Sequence, residues 1–215
     1  VLTPFVGRAV AVDPDELAER RRWTAARLEG SVTGQLAEPP FSFVYDGRQS
    51  AELLQAWPLT RTSRQTHRAQ SSSPPAGLLP TEHTLTWTDP KTGLEVRCVA
   101  VEYLDFPTVE WTLYFANTGT SDTPILEQIQ ALDIRLDRGN DSEFLLHHNR
   151  GSQADGNDYG PLETLLRPGQ TQRIRAAGGR PTNSDWSYFN LHWANEGLIA
   201  VVGWPGQWAA DFVRD

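Results

Sequence analysis

The amino-acid sequence predicts an all-β fold, an antiparallel sandwich or barrel preceded by one short helix. Three observations predict it. From residue 41 onward apolar and polar residues alternate with the period of two that a half-buried strand requires. Compact turn signals separate the alternating runs: Asp46-Gly47, Asp89-Pro90-Lys91-Thr92-Gly93 and Asn117-Thr118-Gly119. Almost no stretch with helical period lies between those runs, so short antiparallel connections must join them.

The helix comes first. Asp13 can cap, Pro14 suits the first helical position and Glu16 places negative charge in the first turn. Residues 15–29 are rich in Ala, Glu, Arg and Leu, and Gly30 is a natural stop. Leu17, Trp23 and Leu28 form only a thin apolar stripe, which predicts a helix lying on the surface of something larger.

The strands follow in order. Phe41, Phe43 and Tyr45 alternate with Ser42 and Val44 ahead of Asp46-Gly47. Leu85 and Trp87 alternate with threonines, and the loop at 89–93 predicts a hairpin to a partner at 94–104. In 108–116, Val109, Trp111, Leu113 and Phe115 face one way while Glu110, Thr112 and Tyr114 face the other. A strand is expected at 125–136, where Leu132, Ile134 and Leu136 alternate with Asp133 and Arg135, and shorter ones at 143–148, 171–176, 186–193 and 197–204. Ser71-Ser72-Ser73-Pro74-Pro75 reads as an inserted loop. No internal repeat is present. The expected organisation is an N-terminal segment 1–30 carrying the surface helix, then a β-domain over 31–215.

Composition narrows the function. A chain of 215 residues can bury a sizeable core unaided. A net charge of −8 argues against nucleic acid and anionic membrane, which select basic surfaces. No apolar run approaches the ~20 residues of a membrane helix. Cys98 is the single cysteine, so no intrachain disulfide can form, and its strand-like neighbours predict a buried apolar role. The chain opens at Val1 and holds no Met, which predicts that a native start has been removed. Nothing at the front reads as a signal peptide. The compartment stays open, with the bacterial cytoplasm favoured.

Motif chemistry is sparse. His147 and His148 are adjacent, so in a strand they point to opposite faces and cannot share a metal; no HExxH and no Cys pair occurs. No metal or cofactor is expected. GxSxG, GxGxxG and the phosphate-loop pattern are absent as well. Glycosidases need paired carboxylates, and spacing along a chain does not place any two of 27 acidic residues together. Asp155 and Asp158 share a polar loop over 151–159, where they serve either turn chemistry or sugar hydroxyls. Eight tryptophans are more suggestive. Trp87 and Trp111 are expected in the core. Trp57, Trp186, Trp193, Trp204 and Trp208 lie near turns or strand ends, where an exposed ring could stack on a sugar.

Several segments resemble glycoside hydrolase family 36, the bacterial α-galactosidases (melibiases), in its N-terminal domain. They are Val109-Glu110-Trp111-Thr112-Leu113-Tyr114-Phe115-Ala116-Asn117-Thr118-Gly119, continuing through Asp122-Thr123-Pro124 and Ile129-Gln130-Ala131-Leu132-Asp133; Gly178-Gly179-Arg180-Pro181-Thr182-Asn183 leading to Tyr188-Phe189-Asn190-Leu191; Gly203-Trp204-Pro205-Gly206-Gln207-Trp208-Ala209; and Phe41-Ser42-Phe43-Val44-Tyr45-Asp46-Gly47 followed by Ser50-Ala51-Glu52-Leu53-Leu54. They span 41 to 209 in the expected order. The resemblance implies an antiparallel β-supersandwich, followed in the parent enzyme by a (β/α)₈ barrel that carries the catalytic aspartates of a retaining hydrolase. Such a barrel needs ~250 residues, so no catalytic residue can be assigned to this chain. The expectation is a non-catalytic domain, an excised piece or a separate subunit, whose partners are the barrel, α-galactoside sugars and a second copy of itself. Its rim candidates are Trp57, Asp155, Asp158, Trp204 and Trp208. An autonomous carbohydrate-binding module and a complete small glycosidase with its own carboxylate pair are the alternatives.

Overall fold

The structure, a computed structural model, describes residues 12–30, 39–66, 79–139 and 142–215. Ser71 to Pro75 fall outside them. The fold is all-β and antiparallel, in two compact units, Val1–Ile134 and Arg135–Asp215. The helical arm expected over 1–30 falls within the first. Among the described residues no helix is long and apolar enough to cross a membrane.

In the first unit α1 (Pro14–Thr24) starts as its sequence requires. The Asp13 carboxylate accepts from the Asp15 amide at 2.9 Å, and Arg21 and Arg22 sit in the last turn. A π-helical turn, Ala25–Glu29, extends it, and Gly30 ends it at φ +78°. Next come β1 (Ser42–Tyr45) and β2 (Arg48–Gln49), joined by Asp46 and Gly47. Both turn residues have positive φ, 52° and 71°, and Tyr45 pairs with Arg48, the geometry of a two-residue hairpin turn. A second helix, α2 (Ser50–Ala56), follows where the sequence reading expected none. Its seven residues are too few to show a helical period, yet Leu53 and Leu54 are buried.

The larger sheet of this unit is β3 (Leu59–Gln65), β4 (Thr81–Thr88), β5 (Leu94–Tyr103) and β6 (Thr108–Asn117) in that order, and β7 (Leu126–Gln130) pairs with β1 to make the smaller one, β2-β1-β7. The strand expected over 125–136 stops at Gln130. Beyond it the backbone leaves the ladder: the Ala131 carbonyl accepts from the Trp111 indole at 2.7 Å, and the Asp133 amide donates to Pro40 at 2.8 Å. The boundary between the units falls just after, at Ile134.

The two sheets enclose one core. Phe41 meets Trp87 edge-on at 5.7 Å, Phe43 meets Phe115 at 5.5 Å, and Val96, Cys98 and Ala100 are fully buried between them. α1 lies on this unit through Trp23, stacked on Trp111 at 5.5 Å. Burial pushes the Cys98 thiol up to about 12. Ellman's reagent should therefore leave the native chain unmodified and titrate one thiol only after denaturant is added; rapid native labelling would contradict the burial.

The second unit repeats the scheme. Its four-stranded sheet runs β12 (Glu196–Val201), β11 (Tyr188–Trp193), β8 (Phe144–Asn149) and β9 (Pro161–Leu166), and its two-stranded sheet pairs β10 (Gln170–Ala176) with β13 (Trp208–Arg214). Phe189 joins the sheets, 5.7 Å from Trp208 and 5.3 Å from Phe212. Phe144, Leu146, Ile174, Leu191 and Trp193 complete the core.

Candidate functional site

Two of the tryptophans expected at a ligand-facing rim are core residues instead. Trp57 caps the C-terminus of α2 and is 8% exposed, enclosed by Phe43 at 6.4 Å and Tyr45 at 5.8 Å. Trp208 opens β13 at 9% exposure, packed on Phe189, its indole donating to the Pro181 carbonyl at 2.7 Å. Neither ring has a face left for a ligand. Proximity to a turn does not decide exposure; the direction of the side chain does. Trp204 is the opposite case, 64% exposed. Gly206 makes room for it, since a Cβ there would stand 2.7 Å from the Trp204 indole nitrogen.

Asp155 and Asp158 organise their own loop. Asp158 accepts from the Ser152 hydroxyl at 2.7 Å and from the amides of Gln153, Ala154 and Asp155 at 2.9, 3.2 and 3.3 Å. Asp155 accepts from the Asn157 amide at 2.6 Å. The Ser152 hydroxyl, helped by those amides, holds the Asp158 carboxyl below its ordinary value against the opposing push of desolvation. A carboxylate with a depressed folded-state pKa supports structure above its unfolded value near 4 and loses that support as pH falls through the lower folded value. The loop should thus hold at pH 4 and loosen only below. Asp158→Asn should speed hydrogen exchange at Gln153 and Ala154 at neutral pH, and unchanged protection would contradict this anchoring.

His147 and His148 do face opposite ways. His148 is buried, with Nε2 3.3 Å from Thr164 Oγ1, while His147 points outward, 3.2 Å from Glu163. Burial lowers the His148 pKa, against the charge of Asp185, which raises it.

A polar cluster that the sequence did not reveal lies beneath α1. His83 on β4 and Glu102 on β5 occupy core-facing positions in their strands. The His83 Nδ1 is 3.0 Å from the Ser63 hydroxyl and its Nε2 3.3 Å from Glu102. Glu29 brings a third ligand-type group, the three residues offering atoms within 4.8 Å of one another. A cavity of about 220 Å³ lined by Glu29, Arg61, Ser63 and His83 opens beside them. The arginines decide what this cluster is. Arg20 stands 3.3 Å from Glu102, and Arg21 reaches Glu29 at 2.7 Å and Glu102 at 4.0 Å. Guanidinium groups already neutralise both carboxylates, so a divalent cation would find no net negative charge to hold it. Arg21 also lies between the two acids, leaving no room for a glycosidic bond to pass. The arrangement clamps a helix to a sheet. The available signal was a His and a Glu at strand positions whose parity is otherwise Leu, Trp, Val and Cys.

Tyr159 and Trp186 meet edge-to-face, ring centres 4.4 Å apart, 45% and 37% exposed. The outer face of the sheet β12-β11-β8-β9 is exposed as well, with Ile199, Val201 and Leu165 beside polar groups. Tyr188, Asn190 and His192 alternate outward along β11; the register sets Tyr188 opposite Val201, and Asn190 opposite Ile199 on one side and His147 on the other. His147 in turn faces Glu163.

The class defined by this geometry is an antiparallel β-sandwich chain of two compact units. No protein-family model matches the chain, and no curated protein does. Solved structures do. The chain is similar to the α-galactosidase AgaA of glycoside hydrolase family 36 from Geobacillus stearothermophilus, with a TM-score of 0.55 and 14% identity over 82% of its length. It is similar to an α-galactosidase from Lactobacillus brevis, with a TM-score of 0.57 and 15% identity over 85%. A doubly substituted AgaA in complex with raffinose gives a TM-score of 0.56 and 15% identity over 98%. At this identity the likeness is one of fold. The chain spans 25% of the length of the first two solved chains and 30% of the third.

Proposed function

We propose that this chain is the N-terminal, non-catalytic β-sandwich part of an α-galactosidase-like retaining glycoside hydrolase, which packs on a catalytic (β/α)₈ barrel and helps shape its mouth. The observation that carries this reading is the disproportion in the fold likeness: 82–98% of this chain is covered, but only 25–30% of each α-galactosidase chain. The remaining length of those chains is ample for a barrel of ~250 residues. Ile199, Val201, Leu165 and Tyr188 project from one sheet face without cover, which suits a surface that another domain or a second copy covers. In this role residues 1–30 are the N-terminal arm and 31–215 the β-domain. Trp204 and Asp155 are the rim residues, with Asp158 fixing the loop, and the sugar class is an α-linked galactoside. The two acidic groups brought closest under α1 are bridged by arginine, which supports a catalytic pair lying elsewhere.

The test is direct. The purified chain, incubated with p-nitrophenyl α-galactoside, should release no nitrophenol above the buffer rate, while the longer parent polypeptide should release it. Turnover by the 215-residue chain alone would overturn the proposal and favour a small complete glycosidase.

A further inference from the structure

We propose that Ser63, His83 and Glu102 form a serine–histidine–carboxylate triad able to transfer a short acyl group, so that this chain cleaves small neutral esters. The inference goes beyond the glycoside reading above and does not depend on it.

Three neighbouring strands supply the triad on one face of one sheet. The register sets Ser63 of β3 directly opposite His83 of β4, and Glu102 of β5 stands two residues along from Ala100, the other partner of His83. Ser63 Oγ lies 3.0 Å from Nδ1, and Glu102 Oε2 lies 3.3 Å from Nε2. In the tautomer with its proton on Nε2, the imidazole donates to the carboxylate and accepts from the hydroxyl. That is the chain of nucleophile, base and orienting acid that acyl transfer requires. The ring nitrogens trade their usual places, and either one can serve as base once the other is held.

Burial and charge suit these roles. His83 and Glu102 are buried, whereas Ser63 is exposed on an edge strand, where a substrate reaches it. Arg20 stands 3.3 Å from Glu102 Oε1, the oxygen that does not hold the ring, and Arg21 comes only to 4.0 Å of Oε2. Clamping α1 needs no more than the arginines and carboxylates; the imidazole carries Glu102 on to a surface hydroxyl. The cavity of about 220 Å³ opens beside that hydroxyl. Leu28 and Leu85 give it an apolar wall for the acyl chain, and the Arg61 guanidinium supplies positive charge for the oxygen that turns anionic. Glu29 on the same wall disfavours an anionic substrate, which leaves neutral esters. In the reaction Ser63 Oγ bonds to the acyl carbon while its proton passes to Nδ1. The imidazolium, steadied by Glu102, returns that proton to the departing alkoxide. Water then attacks the Ser63 ester by the same route, and the carboxylic acid leaves.

The experiment treats the chain with a fluorophosphonate and, separately, with p-nitrophenyl acetate. A single phosphonyl adduct on Ser63 is expected, read by intact mass and peptide mapping: Oγ bonds to phosphorus, fluoride leaves and His83 takes the proton. The acetate should be hydrolysed with turnover. Ser63→Ala should lose both adduct and turnover while keeping the circular dichroism of the fold, since its site is exposed at a sheet edge. His83→Gln should slow labelling by at least about a hundredfold, the scale of general-base catalysis. Glu102→Gln should lower kcat by at least about tenfold at unchanged KM, a split that loosening of the helix alone does not produce. Where the His83 or Glu102 variant fails to fold, Ser63→Ala decides alone. A folded chain that takes no phosphonate would overturn the triad, and so would an adduct on another residue or hydrolysis undiminished in Ser63→Ala. Labelling unchanged in folded His83→Gln, or kcat unchanged in folded Glu102→Gln, would overturn it too. Release of nitrophenol from the α-galactoside is indifferent to all these outcomes, so the two readings fail separately.

Discussion

Replacing Glu102 with alanine is expected to cost about 3–5 kcal/mol of folding stability, the loss that follows when one partner of a buried ion pair is removed. Glu102 is 2% exposed, and the Arg20 side chain facing it is 9% exposed. Without the carboxylate, Arg20 keeps its 2.6 Å bond to the Tyr103 carbonyl but holds an uncompensated charge under α1, and His83 loses the acceptor at its Nε2. Urea unfolding of the single variant should show the loss, with α1 exchanging its amides first. The double variant Glu102→Leu with Arg20→Met should recover most of it, because a matched apolar pair avoids desolvating either ion. A single-variant cost under about 1 kcal/mol, the level of a solvated pair, would show that Arg20 reaches water.

Trp87→Ala is expected to be as damaging, about 3–5 kcal/mol, through the cavity left when a large buried ring is deleted. Trp87 is 2% exposed on β4, in the middle of the four-stranded sheet, and Phe41 rests edge-on against it. Thermal unfolding and near-ultraviolet circular dichroism should both report the change. Trp204→Ala should shift stability by less than about 0.5 kcal/mol, as surface substitutions do. Near-equal effects at the two positions would mean that the core is not where Trp87 sits.

These residues also show what the sequence discloses. β4, β5, β8 and β11 each bury one face and β6 half-buries one, so their alternation is plain, and the Asp46-Gly47 hairpin and the Asp13 cap are local chemistry. β3, β9 and β13 were not anticipated. Leu59-Thr60-Arg61-Thr62-Ser63-Arg64-Gln65 forms a sheet edge held by ladder hydrogen bonds more than by burial, so its apolar pattern is faint. β13 joins its partner across a long interval of chain, and its Ala209-Ala210 pair carries no periodicity. The site was less legible still. Asp158 could be read as loop chemistry because its partners lie within six residues. Trp57 and Trp204 look alike, each followed by a proline, and only packing separates them. Tyr159 and Trp186 come from distant segments and meet only when β8, β9 and β11 assemble.

The pairing of β1 with β7 has a consequence for biosynthesis. β4, β5 and β6 join strands adjacent in the chain and can zip up as soon as each emerges from the ribosome. β1 must wait: Ser42 pairs with Gln130, after the whole meander has been made. During that interval Phe41, Phe43 and Tyr45 form a sticky ribbon with no seventh strand to shield its edge. Nascent chains stalled before Leu126 are therefore the ones that should engage a chaperone, and those extended past Gln130 should let go.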